Sequence, residues 1–298
     1  MSQLVTVIMP TYNRSYCLPY AISSILAQSY SNTEIVIIDD NSSDDTEEVC
    51  KKFQKTYPGK IKYHKNIEQF GPAKSRNIGI NYSKGEYITF LDSDDIYYYD
   101  KIQLQLELMG RDESVGFCFG NFTTAYDIED VGSYNYIKLL PPAELYPSFL
   151  LPKNFYIVTP AVMLRSSILE KTGLFDSDLR ICEDLELWSR VLLQTKFAYV
   201  TKPIVSIHLR KGEKTKIFEN ILARDKLYQR VFMRDNTLAE DFKRRLYSEL
   251  IDLYISTAHH NSSFADFQVL NKMKQSCTKH IDVMRSEILE LAAKHVVK

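Results

Sequence analysis

Three short apolar runs, each followed at once by polar or acidic residues, constrain the fold of this 298-residue chain more than any other feature. They are Leu4–Met9, Glu34–Ile38 and Glu86–Leu91, and many of their residues are β-branched. Runs of this kind are typical of strands buried on both faces of a parallel sheet. Because helical patterns lie between them, the chain predicts an α/β fold with a doubly wound sheet.

The remaining elements follow from periodicity and from helix start and stop signals. Pro10 is expected to end the first strand, and Pro19 to open a helix. Mixed-charge helical patterns run from about residue 217 to the end and predict a C-terminal helical appendage. Further helices are predicted at 46–56, 72–82, 166–172 and 185–194, and further strands at 61–64 and 197–200.

Composition narrows the classes of function. A formal net charge of −1 provides no overall field that would favour nucleic acid or an anionic membrane. Five cysteines without a CxxC pair argue against a disulfide framework or a zinc site. Neither a signal peptide nor a run of about 18 apolar residues is found, so a cytoplasmic protein is expected. GxGxxG and GxxxxGK[ST] are absent, which disfavours NAD-dependent and P-loop enzymes.

Polar residues follow each predicted strand, at the sheet edge where open α/β sheets bind their ligands. Any one of these acidic residues could simply cap the next helix. Three groups at one edge indicate a binding site instead. The first strand leads into Pro10, Thr11, Tyr12, Asn13 and Arg14, the second into Asp39, Asp40, Asn41, Ser42, Ser43 and Asp44, and the fourth into Asp92, Ser93, Asp94 and Asp95.

The densest acidic cluster is formed by Asp92, Asp94 and Asp95. Three carboxylates within four residues repel one another, and a divalent cation would remove that cost. Oxygen ligands suit Mg²⁺ or Mn²⁺, which also bind substrate phosphates. We therefore expect a metal that neutralises a departing diphosphate. A capping turn before a helix is the structural alternative.

Five segments, VTVIMPTYNR, IVIIDDNSSDDT, GPAKSRNIGI, YITFLDSDD and LEKTGLFDSDLRICEDLELWSR, occur in an order and spacing that resemble the family 2 glycosyltransferases with the GT-A fold. The resemblance covers roughly residues 4–210. It implies an inverting, metal-dependent hexosyltransferase that moves a hexose or N-acetylhexosamine from a UDP-sugar to an acceptor hydroxyl. It also implies a catalytic domain, 1–216, with a donor-binding half (about 1–100) and an acceptor-binding half (101–216). The helical region 217–298 lies outside it.

The resemblance implies roles on the donor side. Asp40 would accept a hydrogen bond from the uracil imide, and Asp39 would have a capping or orienting role. Asp94 would bind the metal directly and Asp92 would contact the ribose or the outer shell of the metal, while Asp95 could replace either. The residues predicted to bind the nucleotide-sugar are Pro10, Thr11, Tyr12, Asn13, Asp40, Arg76, Asp92, Ser93, Arg210 and Lys211, and the predicted metal ligands are Asp94, Asp95 and His208.

On the acceptor side, Glu183 and Asp184 match the acidic pair that the family places just before a helix. Inversion needs one base to take the acceptor proton, and we predict Asp184 for that role, with Glu183 raising its pKa. Two anions at a helix N-terminus are the structural alternative. Trp188 either packs under the acceptor sugar or fills the core.

A basic segment follows the last predicted strand. By resemblance His208 would approach the metal and diphosphate, although a plain loop histidine is equally compatible. Arg210 and Lys211, with Lys214 and Lys216, predict a basic lid that closes on the diphosphate and excludes water. A solvated run of charges is the alternative.

Many relatives of this kind build cell-surface polysaccharides, such as lipopolysaccharide, capsule or teichoic-type polymers, at the inner face of the cell membrane. The resemblance therefore implies a saccharide or lipid-linked saccharide as acceptor. The basic run at 243–245 lies beside apolar residues, so the C-terminal helices could dock peripherally on the membrane, form a homodimer, or pack onto the catalytic domain.

Two other functions stay open at this point. One is a sugar-nucleotide nucleotidyltransferase, although that class needs a Gly-rich loop where this chain has PTYNR. The other is a non-catalytic nucleotide-binding subunit, which would not need three clustered carboxylates.

Overall fold

The computed structural model describes residues 3–125, 134–135, 142–151, 157–209, 217–261 and 264–296. The chain divides into two compact units, Met1–Ile137 with Ile157–Gly212, and Lys138–Tyr156 with Glu213–Lys298. The second unit thus includes residues 138–156, which the sequence analysis assigned to the acceptor-binding half. The division of the first unit into donor-binding and acceptor-binding halves stays a prediction.

The secondary structure alternates strand and helix through the first unit, as expected. The strands are β1 (Val5–Thr11), β2 (Thr33–Asp39), β3 (Ile61–Lys65), β4 (Tyr87–Phe90), β5 (Ile96–Tyr97), β6 (Val115–Ala125), β7 (Tyr134–Asn135), β8 (Met163–Arg165) and β9 (Lys196–His208). The helices are α1 (Leu18–Leu26), α2 (Thr46–Thr56), α3 (Pro72–Tyr82), α4 (Lys101–Gly110), α5 (Pro142–Ser148), α6 (Ser166–Thr172), α7 (Glu183–Val191), α8 (Ile217–Arg234), α9 (Glu240–Asn261), α10 (Phe264–Ser276) and α11 (Ile281–Val296), with a 3₁₀ turn at Thr159–Ala161.

The described strands form one mixed sheet in the order β3-β2-β1-β4-β8-β6-β9-β5, and β7 pairs with β6. The first four of these strands are mutually parallel, whereas β8 is antiparallel to both β4 and β6. The chain runs outward from β1 to β3 and then returns to place β4 on the other side of β1. This reversal opens a crevice at the carboxyl ends of β1, β2 and β4.

Strand β1 continues through Pro10 to Thr11, so the expectation that Pro10 ends it is wrong. The Thr11 carbonyl accepts the Asp40 N–H at 2.8 Å, so Thr11 faces β2. Pro10 therefore faces the opposite side, where the pairing of β1 with β4 stops at Ile8 and Phe90. No ladder bond is lost there, because a proline only has to avoid positions that need its N–H.

Strand β9 is much longer than the predicted 197–200 segment. It runs parallel to β6 with register shifts around Gly120 and Asn121, and its far end pairs with β5 through Ile96 and Ser206. No strand was predicted for β5, β6 or β8. The pairing with β5 carries the end of β9 to the acidic residues that follow β4.

The first unit is packed tightly around its parallel strands. Helix α3 lies against β1 so closely that a Cβ at Gly79 would lie 2.4 Å from Ile8 Cγ2. Trp188 of α7 is fully buried, with ring centroids 5.2 Å from Phe117 and 6.0 Å from Phe175. Trp188 therefore fills the core and does not present its ring to an acceptor sugar.

The second unit contains α5 and the four C-terminal helices. Buried Asp225 on α8 accepts hydrogen bonds from Tyr247 on α9 and, at 2.6 and 2.9 Å, from Arg285 on α11, which ties three helices together. In the basic run, Arg244 and Arg245 are paired with neighbouring carboxylates of α9. In the described part of the chain, no helix combines the length and apolar character that crossing a membrane requires.

Candidate active site

A cavity of about 360 Å³ lies at the carboxyl ends of β1, β2 and β4, where the topology places a ligand site. It is formed entirely by residues of the first unit. Eight of the predicted nucleotide-sugar or metal residues line it, together with five that were not predicted. The lining residues are Pro10, Thr11, Tyr12, Arg14, Asp40, Gln69, Gly71, Pro72, Ser75, Arg76, Asp92, Ser93 and Asp94.

The wall beside β1 combines a buried hydroxyl with an exposed ring. Thr11 is 3% exposed, and its Oγ1 has no hydrogen-bond partner among the described residues. Tyr12 is 40% exposed. An unsatisfied buried hydroxyl next to an accessible aromatic face suits an aromatic ligand that carries hydrogen-bonding groups.

The loop after β2 is held by Asp39 and Asn13. Asp39 is fully buried and accepts the Ser42 N–H at 2.8 Å and the Tyr63 hydroxyl at 2.7 Å, which matches its predicted orienting role. Asn13 adopts a left-handed conformation (φ 51°), and its Oδ1 accepts the Ser43 N–H at 2.9 Å. Asn13 thus joins two loops and is not among the residues that line the cavity.

Asp40 stands at the cavity wall, but its carboxylate is largely engaged by the protein. Oδ1 accepts hydrogen bonds from Asn66 Nδ2 (2.8 Å), the Phe70 N–H (2.8 Å) and the Ser75 hydroxyl (3.1 Å). Oδ2 accepts the Gly71 N–H at 2.7 Å. Asp40 therefore organises the segment between β3 and α3, a function that the sequence analysis did not anticipate.

The acidic residues after β4 divide between the cavity and the protein interior. Asp95 is 4% exposed, and its Oδ1 accepts the backbone N–H of His208 at 2.9 Å. The Asp95 carboxylate thus anchors the end of β9, and its predicted role as a metal ligand stays a prediction. Ser93 is also buried, and its carbonyl accepts the Cys17 thiol at 3.3 Å.

Asp94 faces the cavity and forms an ion pair with Arg14, with 3.3 Å between Asp94 Oδ2 and Arg14 Nε. Arg14 is fixed at its backbone, where the N–H donates to the Thr46 hydroxyl at 3.0 Å. Arg14 was named among the residues after the first strand but was not predicted to bind a ligand. Its position inside the PTYNR motif was the signal that could have identified it.

Arg76 connects the cavity to the predicted catalytic pair. Its side chain is 6% exposed, and its two terminal nitrogens contact Asp92 Oδ1 and Glu183 Oε1, each at 2.8 Å. Burial lowers the pKa of Arg76, but the charges of Asp92 and Glu183 outweigh this and raise it above its usual value. A permanently charged guanidinium thus holds together carboxylates that lie 91 positions apart in the sequence.

Glu183 and Asp184 begin α7 directly after Cys182, which has a left-handed backbone (φ 66°). Burial raises the pKa of Glu183 to about 7, with the charge of Asp184 acting in the same direction and Arg76 opposing it. Glu183 is the more buried of the two. Asp184 is partly exposed, and its Oδ2 accepts the Thr159 hydroxyl at 3.1 Å.

His208 reaches the same region from the end of β9. Its Nδ1 is buried and has no hydrogen-bond partner in the part of the chain that the structure describes. The predicted lid residues Arg210 and Lys211, with Lys214 and Lys216, lie outside the described residues.

The residues at the cavity fit a divalent cation that is held jointly with a substrate. Among the described residues, no three His, Cys, Asp or Glu side chains are arranged to hold a metal ion unaided. A cation at Asp94 would complete its shell with phosphate oxygens and water, which is the usual arrangement for Mg²⁺. Carboxylate donors and His208 Nδ1, which has no hydrogen-bond partner among the described residues, are compatible with Mn²⁺ as well.

Residues 6–173, more than half of the chain, match the family model described as glycosyl transferase family 2. The chain therefore belongs to glycosyl transferase family 2. It is 36% identical over 217 residues to an uncharacterised glycosyltransferase of Rickettsia conorii, with 71% of this chain and 34% of the relative covered. The chain thus spans about a third of the length of that rickettsial relative.

It is also 33% identical over 189 residues to WfgD of Escherichia coli, with 63% of this chain and 70% of WfgD covered. WfgD is named a UDP-Glc:alpha-D-GlcNAc-diphosphoundecaprenol beta-1,3-glucosyltransferase.

Solved structures confirm the predicted GT-A fold. TarS of S. aureus, residues 1–349, matches with a TM-score of 0.68 and 16% identity, covering 98% of this chain and 88% of TarS. TarS in complex with UDP-GlcNAc matches equally well. A mannosyltransferase from Pyrobaculum calidifontis, in complex with GDP-Man and Mn²⁺, has a TM-score of 0.62 and 17% identity.

Proposed function

We propose that this protein is an inverting, metal-dependent glycosyltransferase that transfers a hexose or N-acetylhexosamine from a UDP-sugar to an acceptor hydroxyl. One observation carries the proposal. A cavity at the carboxyl ends of the parallel strands, lined by Asp92 and Asp94, is joined through buried Arg76 to the acidic pair Glu183–Asp184.

The donor is proposed to bind with its base against Thr11 and Tyr12 and its diphosphate towards Asp92 and Asp94. The UDP-sugar named for WfgD and the UDP-GlcNAc complex of TarS support a uridine donor. The segment that Asp40 holds would form the remaining wall of the base pocket, since Gln69 and Gly71 line the cavity.

Asp94 is proposed to hold Mn²⁺ or Mg²⁺, with Asp92 and His208 close by. Such a cation, when bound, stabilises negative charge on the diphosphate as it departs. The Mn²⁺ complex of the Pyrobaculum mannosyltransferase supports a divalent metal. Asp95 contributes indirectly by holding the backbone of His208.

Asp184 is proposed as the general base. Its carboxylate takes the proton of the acceptor hydroxyl while that oxygen attacks the anomeric carbon from the face opposite the diphosphate. The bond between the anomeric carbon and the diphosphate oxygen breaks, and UDP leaves with the electron pair. Thr159 orients Asp184 through its hydroxyl, and Arg76 fixes the neighbouring Glu183.

The acceptor is proposed to be a saccharide or lipid-linked saccharide of a cell-surface polysaccharide pathway, as the acceptor named for WfgD suggests. Transfer of a sugar to such an acceptor fits a cytoplasmic enzyme that associates peripherally with the inner face of the membrane. Dimer formation through α8–α11 belongs to the same proposal.

The test is UDP release from UDP-glucose and UDP-GlcNAc, with a polyprenyl-diphosphate GlcNAc analogue as acceptor and Mn²⁺ or Mg²⁺ present. Release should require both acceptor and metal, and EDTA should abolish it. Asp184→Asn should lower kcat by roughly 10²–10⁴-fold, the usual contribution of a general base. Asp282→Asn, an exposed change on α11, is the matched control.

Two results would contradict the proposal. Pyrophosphate release from UTP and a sugar phosphate would identify a nucleotidyltransferase instead. Transfer that proceeds at the wild-type rate in Asp184→Asn would remove the base assignment.

A further inference from the structure

Arg14 and Arg76 are the two arginines that line the cavity, and the structure holds them very differently. Arg76 is locked between two carboxylates at 2.8 Å, with 6% of its side chain exposed. Among the described residues Arg14 makes one, longer ion pair, with Asp94 at 3.3 Å, and its Nη1 donates to the Asn13 carbonyl at 3.1 Å, while 19% of its side chain is exposed. Arg14 is therefore the lining arginine that can exchange its partner without breaking a buried network.

The partner of Arg14 is the carboxylate that the proposed function assigns to the metal. A guanidinium and a divalent cation compete for the Asp94 carboxylate. Both positive charges are stabilised close to the carboxylate, but they repel one another. Release from Asp94 would leave Arg14 at the cavity wall, where its backbone stays fixed by Thr46.

We infer that Arg14 is a diphosphate-binding residue that reaches its working position by an exchange of ion pairs. In the ion pair that the structure shows, Arg14 neutralises Asp94. When Asp94 becomes a metal ligand, Arg14 turns to the diphosphate of the nucleotide. This inference rests on the proposed function and adds to it a protein cation at the leaving group.

The charge balance of the reaction explains why such a cation is useful. The diphosphate gains one negative charge when its bond to the sugar breaks. A guanidinium that is already aimed at it stabilises the product-like charge more than the ground state, which accelerates the reaction. A guanidinium also suits phosphate oxygens geometrically, because its N–H groups can contact two of them at once.

The experiment measures Mn²⁺ binding to the nucleotide-free protein and UDP binding at saturating Mn²⁺, both by calorimetry. Arg14→Ala should bind Mn²⁺ about two- to five-fold more tightly, since a competing, partly exposed ion pair is gone. The same variant should bind UDP roughly 10- to 100-fold more weakly, since a charge-assisted contact is lost. Arg111→Ala, an exposed arginine at the end of α4, controls for the change in net charge.

The opposite changes in Mn²⁺ affinity and UDP affinity distinguish the exchange from a general loss of structure, which would weaken the binding of both ligands. Uridine, which lacks phosphate, should bind the variant and the wild type equally. Arg14→Lys keeps the charge and should recover most of the UDP affinity, so it serves if Arg14→Ala does not fold. If Arg14→Ala leaves either the UDP affinity or the Mn²⁺ affinity unchanged, the exchange of ion pairs is wrong, but the proposed function is not affected. Failure of the wild type to bind UDP with Mn²⁺ overturns the proposed function as well.

Discussion

Asp40→Asn separates two roles for Asp40, direct recognition of a base and internal organisation of the cavity wall. In the structure its carboxylate accepts four hydrogen bonds, three from the segment between β3 and α3 and one from Ser75 of α3. An asparagine oxygen can replace Oδ1 and keep three of these contacts. Its amide group would then face the Gly71 N–H, so that two donors oppose each other.

The magnitude follows from that geometry. The charge-assisted hydrogen bond to the Gly71 N–H contributes about 1.5–3 kcal/mol, and an unsatisfied buried donor costs about 1–3 kcal/mol. We therefore expect the free energy of unfolding of the nucleotide-free protein to fall by about 2.5–6 kcal/mol. For a unit of this size, Tm falls by about 2–4 °C per kcal/mol, which gives a decrease of roughly 5–24 °C.

Urea unfolding of the nucleotide-free protein measures this effect, with Asp45→Asn as the control. Asp45 is exposed, makes no side-chain cap bond to α2, and should change the free energy of unfolding by less than about 0.5 kcal/mol. UDP affinity should fall together with stability in Asp40→Asn. An unfolding midpoint equal to that of the wild type, with UDP affinity alone reduced, would refute the organising role and favour direct contact with the base.

Two further predictions concern Glu183 and Gly79. Because the pKa of Glu183 is raised to about 7 from a usual value of 4.5, the folded protein binds the extra proton between those pH values, and its stability falls as pH rises through this window. Glu183→Gln should remove that loss. In urea titrations, the free energy of unfolding of the variant relative to that of the wild type should therefore increase by up to about 3 kcal/mol between pH 4.5 and pH 8. A difference that does not depend on pH would contradict the raised pKa of Glu183. Gly79→Ala places a methyl group 2.4 Å from Ile8 Cγ2 and should lower the free energy of unfolding by about 1–3 kcal/mol, whereas Gly110→Ala, with no atom within 4 Å, should be close to neutral. Equal thermal midpoints for these two glycine variants would disprove the tight packing of α3 on β1.

The parallel half of the fold was predictable because its signals are local. Buried strands such as Leu4–Met9 are apolar on both faces, and α2 and α3 were predicted with the bounds that the structure has. Strands β5 and β8 are only two and three residues long, too short for any period to be detected. They are strands because β9 and β4 provide their hydrogen-bond partners.

The candidate site also combines features that the sequence predicts with features that it does not. The chain alone determined that acidic and polar residues would gather at the carboxyl edge of a parallel sheet, because strand ends and their following residues are consecutive in sequence. Asp40, Asp92 and Asp94 were predicted for that reason, and all three line the cavity.

The tertiary structure alone decided which partner each charged side chain meets. Asp94 and Asp95 are adjacent in sequence, yet one faces Arg14 and the cavity while the other is buried against the backbone of His208. Arg76 meets Glu183 across 107 positions, and that contact opposes the effect of burial on the pKa of Glu183. Charge–charge energies depend on distance and solvent exposure, and neither quantity is encoded in the order of residues along the chain.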